Sequence, residues 1–327
     1  MNGTTRASPG RRELLASLGL LAAPRLARAQ AWPERSVRIV VPFPPGGAID
    51  AMARLLAPAI EPALRQSVVI ENRSGAGGVV GTEAAAQARD GTTLLMSALT
   101  HVVLAALNPR LPYDPWADFR AAAPVGTVAN LLVVPAASPL RSVADLLAAA
   151  RVRPGALNYG SAGSGTSLHL CAAVFAAEAG IDLTHVPYRG SGPAVTDLVA
   201  GRIDMMFDSA TSAAPHLAAG TLRALAVTTS RRSGLQPELP TIAEAGVPGY
   251  AVDWWYALLA PRSVPEAGRR RVEAAVKEAM GEPAMIERFA AIRCEPMDSD
   301  AESLSATIAR DRVTWTELVR RLGLQER

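Results

Sequence analysis

The sequence has few cysteines, few aromatic residues and almost no lysine. Its 327 residues include two cysteines, Cys171 and Cys294, and aromatic side chains make up 5% of the chain. Scarce aromatics together with abundant alanine suit helices packed on a sheet better than a β-sandwich. Cys171 lies on the apolar face of a predicted helix, far along the chain from Cys294. We therefore expect two separate buried thiols rather than a disulfide.

Motifs for cofactor binding are missing or incomplete. Lys277 is the single lysine and lies in a predicted C-terminal helix, which excludes a Walker phosphate loop. Residues 75–81 space their glycines as GxGxxxG, whereas dinucleotide-binding turns use GxGxxG with an acidic residue at a later strand end. We therefore expect no cofactor.

Motifs for covalent catalysis and metal binding are missing as well. No serine has glycine at both −2 and +2, the spacing of a nucleophile elbow. The histidines form no HExxH or other close metal-binding spacing; they are His101, His169, His185 and His216. These absences predict neither a metal site nor catalytic residues, and we do not expect an enzyme.

The basic charge of the chain comes from its first 31 residues. The chain has 33 basic and 30 acidic residues, a formal net charge of +3. Five arginines and one glutamate lie in residues 1–31, so the remainder has 28 basic and 29 acidic residues. A near-neutral remainder argues against nucleic-acid binding. An anion would have to be held by local geometry rather than by a broad basic field.

Residues 1–31 have the order of regions of a secretory signal peptide. Arg11-Arg12 precede an apolar run that ends at Ala23, and two small-x-small cleavage sites follow, at Ala27–Ala29 and Ala29–Ala31. The run is shorter than the roughly 20 residues that a membrane span needs. The arginine pair fits a twin-arginine signal, and an ordinary Sec signal fits equally well. Either one predicts export to the periplasm.

Strands alternate with helices along the rest of the chain, which predicts an α/β fold. The predicted strands are residues 37–41, 68–71, 93–96, 157–160, 183–186, 203–208 and 222–227, and the predicted helices include residues 143–151, 266–280 and 302–322. Near the start of each half, a strand leads through a glycine-rich turn into a helix. Pro58 and Pro62 are expected to kink or shorten the first of these helices.

The two glycine-rich turns are candidates for binding an anion. A turn that delivers a strand into a helix leaves the first N–H groups of that helix unpaired, and these groups favour a negative charge. Tight turns also use glycine for geometric reasons alone, so either turn by itself is weak support for a site. Two turns across a cleft would hold a carboxylate. Their candidate residues are Phe43, Pro44, Gly46 and Gly47, then Ser161, Gly163, Ser164, Gly165, Thr166 and Ser167.

Further candidates lie beside the turns. His169 could hydrogen-bond a ligand or pack locally. Asp50 favours the positive end of its helix, although a ligand ammonium is an alternative partner. Arg189, next to Tyr188 at a strand end, could pair with a second carboxylate or stay solvated. Asp208 ends another predicted strand.

Several spaced motifs resemble the Bug-type substrate-binding proteins of tripartite tricarboxylate transporters. They run from Val40 to Asp50, from Glu71 to Gly78, and through Asn158–Ser161, Tyr188–Gly190 and Leu239–Thr241. Several motifs in this order are more specific than any single one. The similarity extends from about Trp32 to the C-terminus.

The resemblance implies a two-lobed periplasmic binding protein of the type II topology. Each lobe is expected to be a mostly parallel sheet flanked by helices, with a hinge of two crossover strands. Lobe 1 would comprise residues 32–132 and 255–327, and lobe 2 would comprise residues 133–254. Trp254 and Trp255 would then wall the cleft or pack at the hinge.

The resemblance also implies a function. A monomer would capture a small carboxylate, such as a di- or tricarboxylate, an aromatic carboxylate or an acidic amino acid, and deliver it to membrane transporter subunits. Two alternatives stay open. One is a ligand-sensing periplasmic protein that signals to a membrane receptor. The other is a periplasmic enzyme on the same scaffold, whose candidate bases would be Asp50, His169 and Asp208.

Overall fold

The computed structural model describes Gly3 and residues 32–325 of the chain. The predicted signal peptide at residues 1–31 lies outside the described residues, apart from Gly3. Within the described part, none of the helices combines the length and the apolar character that a membrane crossing requires.

Strands and helices alternate through most of the described chain. The strands are β1 (Val37–Val41), β2 (Val68–Asn72), β3 (Thr93–Ala98), β4 (Phe119–Thr127), β5 (Asn130–Pro135), β6 (Asn158–Ser161), β7 (Thr184–Pro187), β8 (Met205–Ser209), β9 (Leu222–Val227), β10 (Trp255–Pro261) and β11 (Glu295–Pro296). The helices are α1 (Ala48–Leu64), α2 (Val79–Ala86), α3 (Thr100–Leu107), α4 (Val143–Val152), α5 (Ser167–Ala179), α6 (Ser191–Val199), α7 (Ala210–Ala218), α8 (Glu266–Gly281), α9 (Pro283–Ala291) and α10 (Ala301–Arg321). The strands and helices predicted from the sequence are found, with ends shifted by at most two residues.

The strands form two sheets with the same plan. Sheet 1 has the order β11-β4-β10-β3-β1-β2, and sheet 2 has the order β7-β6-β8-β5-β9. In sheet 1, β1 lies between β2 and β3, and β10, which arrives from the other sheet, lies beside β3. In sheet 2, β6 lies between β7 and β8, and β5, which arrives from the other sheet, lies beside β8. We call each sheet, with the helices packed on it, lobe 1 or lobe 2.

The α/β fold of two lobes is confirmed, and most strands of each sheet run in one direction. β1 runs parallel to β2 and β3, and β6 runs parallel to β7 and β8. β10 and β5 run antiparallel to both of their neighbours. Parallel pairing needs a helical crossover within one sheet. β5 and β10 instead enter from the other lobe, so each meets its neighbours in the opposite direction.

The chain crosses between the lobes twice, directly after β4 and directly before β10. The crossings lie side by side, since Val128 N donates to Trp254 O at 3.3 Å. The ring of Trp254 packs edge-on against Trp315 of α10. Trp255 Nε1 donates to Asp311 of the same helix at 2.8 Å. These contacts favour hinge packing for the tryptophan pair, and the lobe limits given above remain a prediction.

Both prolines of α1 lie inside the helix, and neither shortens it. The helix continues to Leu64, past Pro58 and Pro62. The two prolines are exposed, on the side of α1 away from the buried Met52 and Leu56. Carbonyl groups that lose an N–H partner there face water, which satisfies them. The helix is therefore not shortened, and the alternative expectation of a kink stays a prediction.

The C-terminal helix α10 contacts both lobes. At its start, Ala301 N donates to Glu273 of α8 in lobe 1 at 2.9 Å. In its last turn, Arg321 forms an ion pair with Glu178 of α5 in lobe 2. The helix therefore bridges the lobes beside the hinge.

The two cysteines are free and buried, as the sequence predicts. Cys171 lies in α5, where Asn130 Nδ2 donates to its sulfur at 3.5 Å. Cys294 lies just before β11, with its sulfur 3.4 Å from that of Met52. Burial raises the pKa of Cys171 to about 12. Its thiol therefore stays protonated and unreactive at neutral pH.

Gly81 allows α2 to pack directly on the backbone of the first lobe. A Cβ at this position would lie 2.5 Å from Arg73 O and 2.6 Å from Pro42 Cα, which are backbone atoms. We expect Gly81→Ala to lower the free energy of unfolding by about 1–3 kcal/mol, because overpacking forces the backbone to move. Urea denaturation followed by circular dichroism measures the change.

Gly281, at the end of α8, is the matched control. A Cβ there would meet no heavy atom within 4 Å. Gly281→Ala should leave stability unchanged or raise it by up to about 1 kcal/mol, since alanine favours a helix. Equal stability of the two variants would contradict the packing described for α2.

Candidate functional site

The glycine-rich turns lie where parallel strands end. In lobe 1, turn 1 (residues 42–47) follows β1, and a second turn at residues 73–78 follows β2. In lobe 2, turn 2 (residues 161–167) joins β6 to α5, residues 188–190 join β7 to α6, and α7 follows β8 directly. Open α/β sheets bind ligands beyond the carboxyl ends of their strands. These two edges therefore form the candidate site.

Turn 1 presents bare backbone at the edge of sheet 1. Pro44 and the residues up to Gly47 are exposed, and Phe43 is half-buried. Gly46 has a φ of 95°, a left-handed conformation that glycine adopts without strain. Gly47 is the N-cap of α1, and no side chain caps the helix. The N–H groups in the first turn of α1 are thus available to an anion.

Asp50 holds turn 1 in place. Its carboxylate accepts hydrogen bonds from Gly46 N at 3.0 Å, Arg54 Nε at 2.9 Å and Asn72 Nδ2 at 2.8 Å. Asn72 Nδ2 also donates to Phe43 O at 3.1 Å. Burial raises the pKa of Asp50, but the bond from Arg54 and the two other hydrogen bonds outweigh burial and lower the pKa below its usual value. Both oxygens are committed to the loop, which favours the structural role for Asp50.

Turn 2 is held by its own hydroxyl groups. Gly163 N donates to Ser161 Oγ at 3.1 Å, and Thr166 Oγ1 donates to Gly163 O at 2.7 Å. Thr166 is the N-cap of α5, but its hydroxyl turns to the loop and does not cap the helix. Ser164 is exposed and Ser167 is half-buried. The first N–H groups of α5 are therefore left for a ligand.

Two stacked histidines support turn 2. The ring centroids of His169 and His185 are 4.3 Å apart, and His185 stacks on Tyr159 at 4.8 Å. Gly165 N donates to His169 Nδ1 at 3.2 Å, and His185 Nε2 shares a 2.7 Å hydrogen bond with Ser161 Oγ. Burial lowers the pKa of His169 to about 4 and also lowers the pKa of His185. Both rings are neutral at neutral pH, so the proton of His169 resides on Nε2.

A third uncapped helix start lies after β7. Gly190 is the N-cap of α6, and no side chain caps this helix. Tyr188 OH donates to Asp197 Oδ2 at 2.8 Å, which commits the hydroxyl to α6. Arg189 is exposed and has no ion-pair partner within residues 32–325. Its guanidinium is therefore free to meet an anion at this edge.

Asp208 is buried at the end of β8. Its Oδ1 accepts hydrogen bonds from Ser191 Oγ at 2.7 Å and Ser209 N at 2.9 Å. Its Oδ2 has no hydrogen-bond partner in the described part of the chain. Burial raises the pKa of Asp208 to about 6, against the opposing effect of the nearby serine hydroxyls. This carboxyl group takes up a proton far more readily than Asp50 does.

Helix α3 lies close to turn 2 and to the glycine-rich turn after β2. A Cβ added to Gly165 in turn 2 would lie 3.2 Å from Leu107 Cδ1, at the end of α3 in lobe 1. Leu104 of the same helix lies 3.7 Å from the Cβ position of Gly77. A Cβ added to Gly78 would lie 3.2 Å from the ring of Phe43 in turn 1. Side chains of α3 thus lie near the backbone of turn 2 and of the turn after β2.

Two cavities lie away from these turns. One of about 970 Å³ is lined by α8, α10 and the residues around Trp116, and one of about 490 Å³ is lined by α7, β9 and Arg293. Neither is lined by a residue of turn 1 or turn 2. Over the described ranges, no three histidine, cysteine, aspartate or glutamate side chains are placed to hold a metal ion together.

Asn72, His185 and Leu107 are among the residues that build the site and are absent from the predicted set. Asn72 carries a signal in the sequence, since it follows a predicted strand inside the motif that ends at Gly78. His185 lies in a predicted strand, and nothing in its neighbourhood links it to turn 2. Leu107 belongs to a helix that is buried on nearly every side and so shows no periodicity.

The shared strand order and the double crossing define the two-lobed fold of periplasmic binding proteins of the type II topology. The chain belongs to the tripartite tricarboxylate transporter receptor family, because residues 52–324 match the family described as "Tripartite tricarboxylate transporter family receptor". The expected membership of the Bug-type family is thereby confirmed.

Relatives of similar length support this assignment. A protein from the tcbD-tcbE intergenic region of Pseudomonas sp. (strain P51) is 42% identical over 318 residues, which cover 96% of this chain and 95% of that protein. Protein BugT of Bordetella pertussis (strain Tohama I) is 35% identical over 319 residues, which cover 95% of this chain and 97% of BugT.

Solved structures show the same fold. Rpa4515 of R. palustris with adipate has a TM-score of 0.84 and 35% identity, covering 89% of this chain and 98% of that one. MatC (Rpa3494) of Rhodopseudomonas palustris with bound malate has a TM-score of 0.81 and 31% identity, covering 88% and 100%. The periplasmic binding protein BugD has a TM-score of 0.82 and 30% identity, covering 90% and 100%.

The hydrogen-bond network of Asp50 predicts a pH-dependent loss of stability. Asp50→Asn places an amide donor opposite Gly46 N and Arg54, so we expect it to lower the free energy of unfolding at neutral pH by about 1–3 kcal/mol. The pKa of Asp50 is lower in the folded than in the unfolded chain. The stabilisation is therefore full above the ordinary carboxyl pKa and disappears as pH falls through the folded pKa.

Urea titrations at several pH values measure this effect. The difference between wild type and Asp50→Asn should shrink on acidification. Glu287→Gln, at an exposed position of α9, is the control and should not change stability at any pH. A pH-independent difference for Asp50→Asn would rule out the charged network.

Proposed function

We propose that the protein captures a small carboxylate in the periplasm and delivers it to a membrane transporter. The observation that carries the proposal is the three uncapped helix starts of α1, α5 and α6 at the ends of parallel strands. Each offers backbone N–H groups and the positive end of a helix dipole to an anion. Related proteins hold adipate and malate, which supports carboxylates as the ligand class.

The groups around the turns favour a ligand held mainly by hydrogen bonds. Ser164 and Ser167 offer hydroxyl groups beside the start of α5, and His169 offers the N–H at Nε2. Arg189 has a free guanidinium that can pair bidentately with a second carboxylate. Di- and tricarboxylates, aromatic carboxylates and acidic amino acids all fit this description. The near-neutral charge outside residues 1–31 is consistent with such recognition.

The proposal assigns no catalytic step to this site, and two of the three candidate bases are engaged elsewhere. Asp50 has both oxygens committed to turn 1, and His169 uses its acceptor nitrogen to bind Gly165 N. Neither is free to act as a general base. The predicted signal peptide and the likeness to the periplasmic binding protein BugD support the periplasm as the location. A monomer that hands its ligand to transporter subunits is the form we propose.

A thermal-shift panel tests the proposal. Adipate, malate, citrate, benzoate and glutamate should be screened, and at least one should raise the melting temperature. A ligand at a hundred times its dissociation constant stabilises the folded state by about 2.7 kcal/mol. Sodium chloride at matched ionic strength is the control. A panel in which no carboxylate raises the melting temperature would overturn the proposed function.

Gly165→Ala tests whether turn 2 belongs to the binding site. Gly165 has a φ of 77°, and a Cβ there would press on Leu107. The substitution should cost about 1 kcal/mol of stability through backbone strain. It should also weaken carboxylate binding by about tenfold or more, because turn 2 shifts relative to the start of α5. Isothermal titration calorimetry measures the affinity.

Gly180 at the other end of α5 provides a matched control. It has a φ of 60°, and a Cβ there would meet no heavy atom within 4 Å. Gly180→Ala should carry a similar strain and leave binding unchanged. If both variants bind as the wild type does, turn 2 is not part of the site.

A further inference from the structure

Two buried carboxylates lie at the site, and their surroundings differ. Asp50 pairs with a cation, Arg54. Asp208 is 1% exposed, and the hydrogen bonds to its Oδ1 come from the neutral donors Ser191 Oγ and Ser209 N. Its Oδ2 has no hydrogen-bond partner among the described residues. A buried polar atom without a partner costs free energy. We therefore expect Asp208 Oδ2 to take a hydrogen-bond partner that is not part of this chain.

Asp208 lies beside the third uncapped helix start. Ser191, which donates to Asp208 Oδ1, is the first residue of α6. The N-cap of that helix is Gly190, and the free guanidinium of Arg189 precedes it. An anion bound at the start of α6 therefore meets the Asp208 carboxyl group at close range.

The other ionisable groups near Asp208 do not neutralise it. His216 of α7 and Tyr256 of β10 in lobe 1 act on it electrostatically and form no hydrogen bond with it. Burial holds the pKa of Tyr256 well above its usual value, so the phenol stays neutral. His169 and His185 of turn 2 are neutral as well. On β5, the residue paired with Asp208 is a leucine.

We propose that Asp208 binds the ligand carboxylate in its protonated form, so that capture takes up one proton. The inference rests on the proposed function. The proton passes from solvent to Oδ2, while Oδ1 keeps its hydrogen bonds from Ser191 and Ser209. The new hydroxyl then donates to a ligand carboxylate oxygen. An ionised Asp208 would repel the same anion, because like charges in a buried site disfavour each other.

Such coupling makes affinity depend on pH with a definite sign. Asp208 of the free protein has a pKa of about 6, and a ligand carboxylate beside it raises that pKa further. Between the free and the bound pKa, each binding event takes up a proton. The affinity for the carboxylate therefore falls as the pH rises above the pKa of Asp208 in the free protein. The fall is at most about tenfold per pH unit.

Calorimetric titrations of wild type and Asp208→Asn test the inference. The ligand is whichever of adipate, malate, citrate, benzoate and glutamate gives the largest thermal shift. Titrations between about pH 6.5 and 8.5, in buffers of different ionisation enthalpy, report affinity and net proton uptake together. The wild type should lose affinity across this range and take up close to one proton. Asp208→Asn should take up none and bind at high pH better than the wild type.

Two variants serve as controls in the same titrations. Asp182→Asn removes an exposed carboxyl group of lobe 2 and should behave as the wild type does. His216→Gln should keep the proton uptake, since the proton resides on Asp208. Loss of the uptake in His216→Gln, or a wild-type affinity independent of pH without proton uptake, would overturn this inference and leave carboxylate capture intact. Absence of binding by every carboxylate would instead overturn the proposed function.

Discussion

The unpaired amide groups at the start of a helix are the constraint on which this molecule depends. A helix that follows a parallel strand begins with N–H groups that its own carbonyl groups cannot accept. α1, α5 and α6 all begin in this way, and each N-cap side chain is absent or bonded elsewhere. The glycines of the turns have no side chains and so leave these N–H groups accessible to a ligand. In both sheets these helices begin at the carboxyl ends of the parallel strands.

The two lobes support their turns with different chemistry. Turn 1 is fixed by charge, through Asp50, Arg54 and the amide of Asn72. Turn 2 is fixed by neutral groups, through Ser161 and the stacked rings below it. Because the charge of Asp50 is balanced by Arg54, neither support adds a large field to the site. Recognition then depends on the number and direction of hydrogen bonds more than on net charge.

Periodicity predicts the elements that have one polar and one apolar face, and it misses those buried on all sides. α3 has almost no exposed residue, so no polar face marks it. β4 contains Pro124 and Gly126, which argue against a strand, and its irregular pairing with β10 accommodates them. Turns 1 and 2 are predictable because glycine patterns are local. Asn72, His185 and Leu107 reach the site only through the tertiary fold, which no local pattern encodes.

The strand order of sheet 1 determines when the site can be completed during folding. Sheet 2 comes from one continuous stretch, β5 to β9, and can assemble without the rest of the chain. β4 has β10 and β11 as its neighbours, and both follow the whole of sheet 2 in the chain. Pairing between such distant segments is slow, because a long loop must close first. Sheet 2 can therefore be completed early, whereas sheet 1 is complete only once the C-terminal third of the polypeptide supplies β10 and β11.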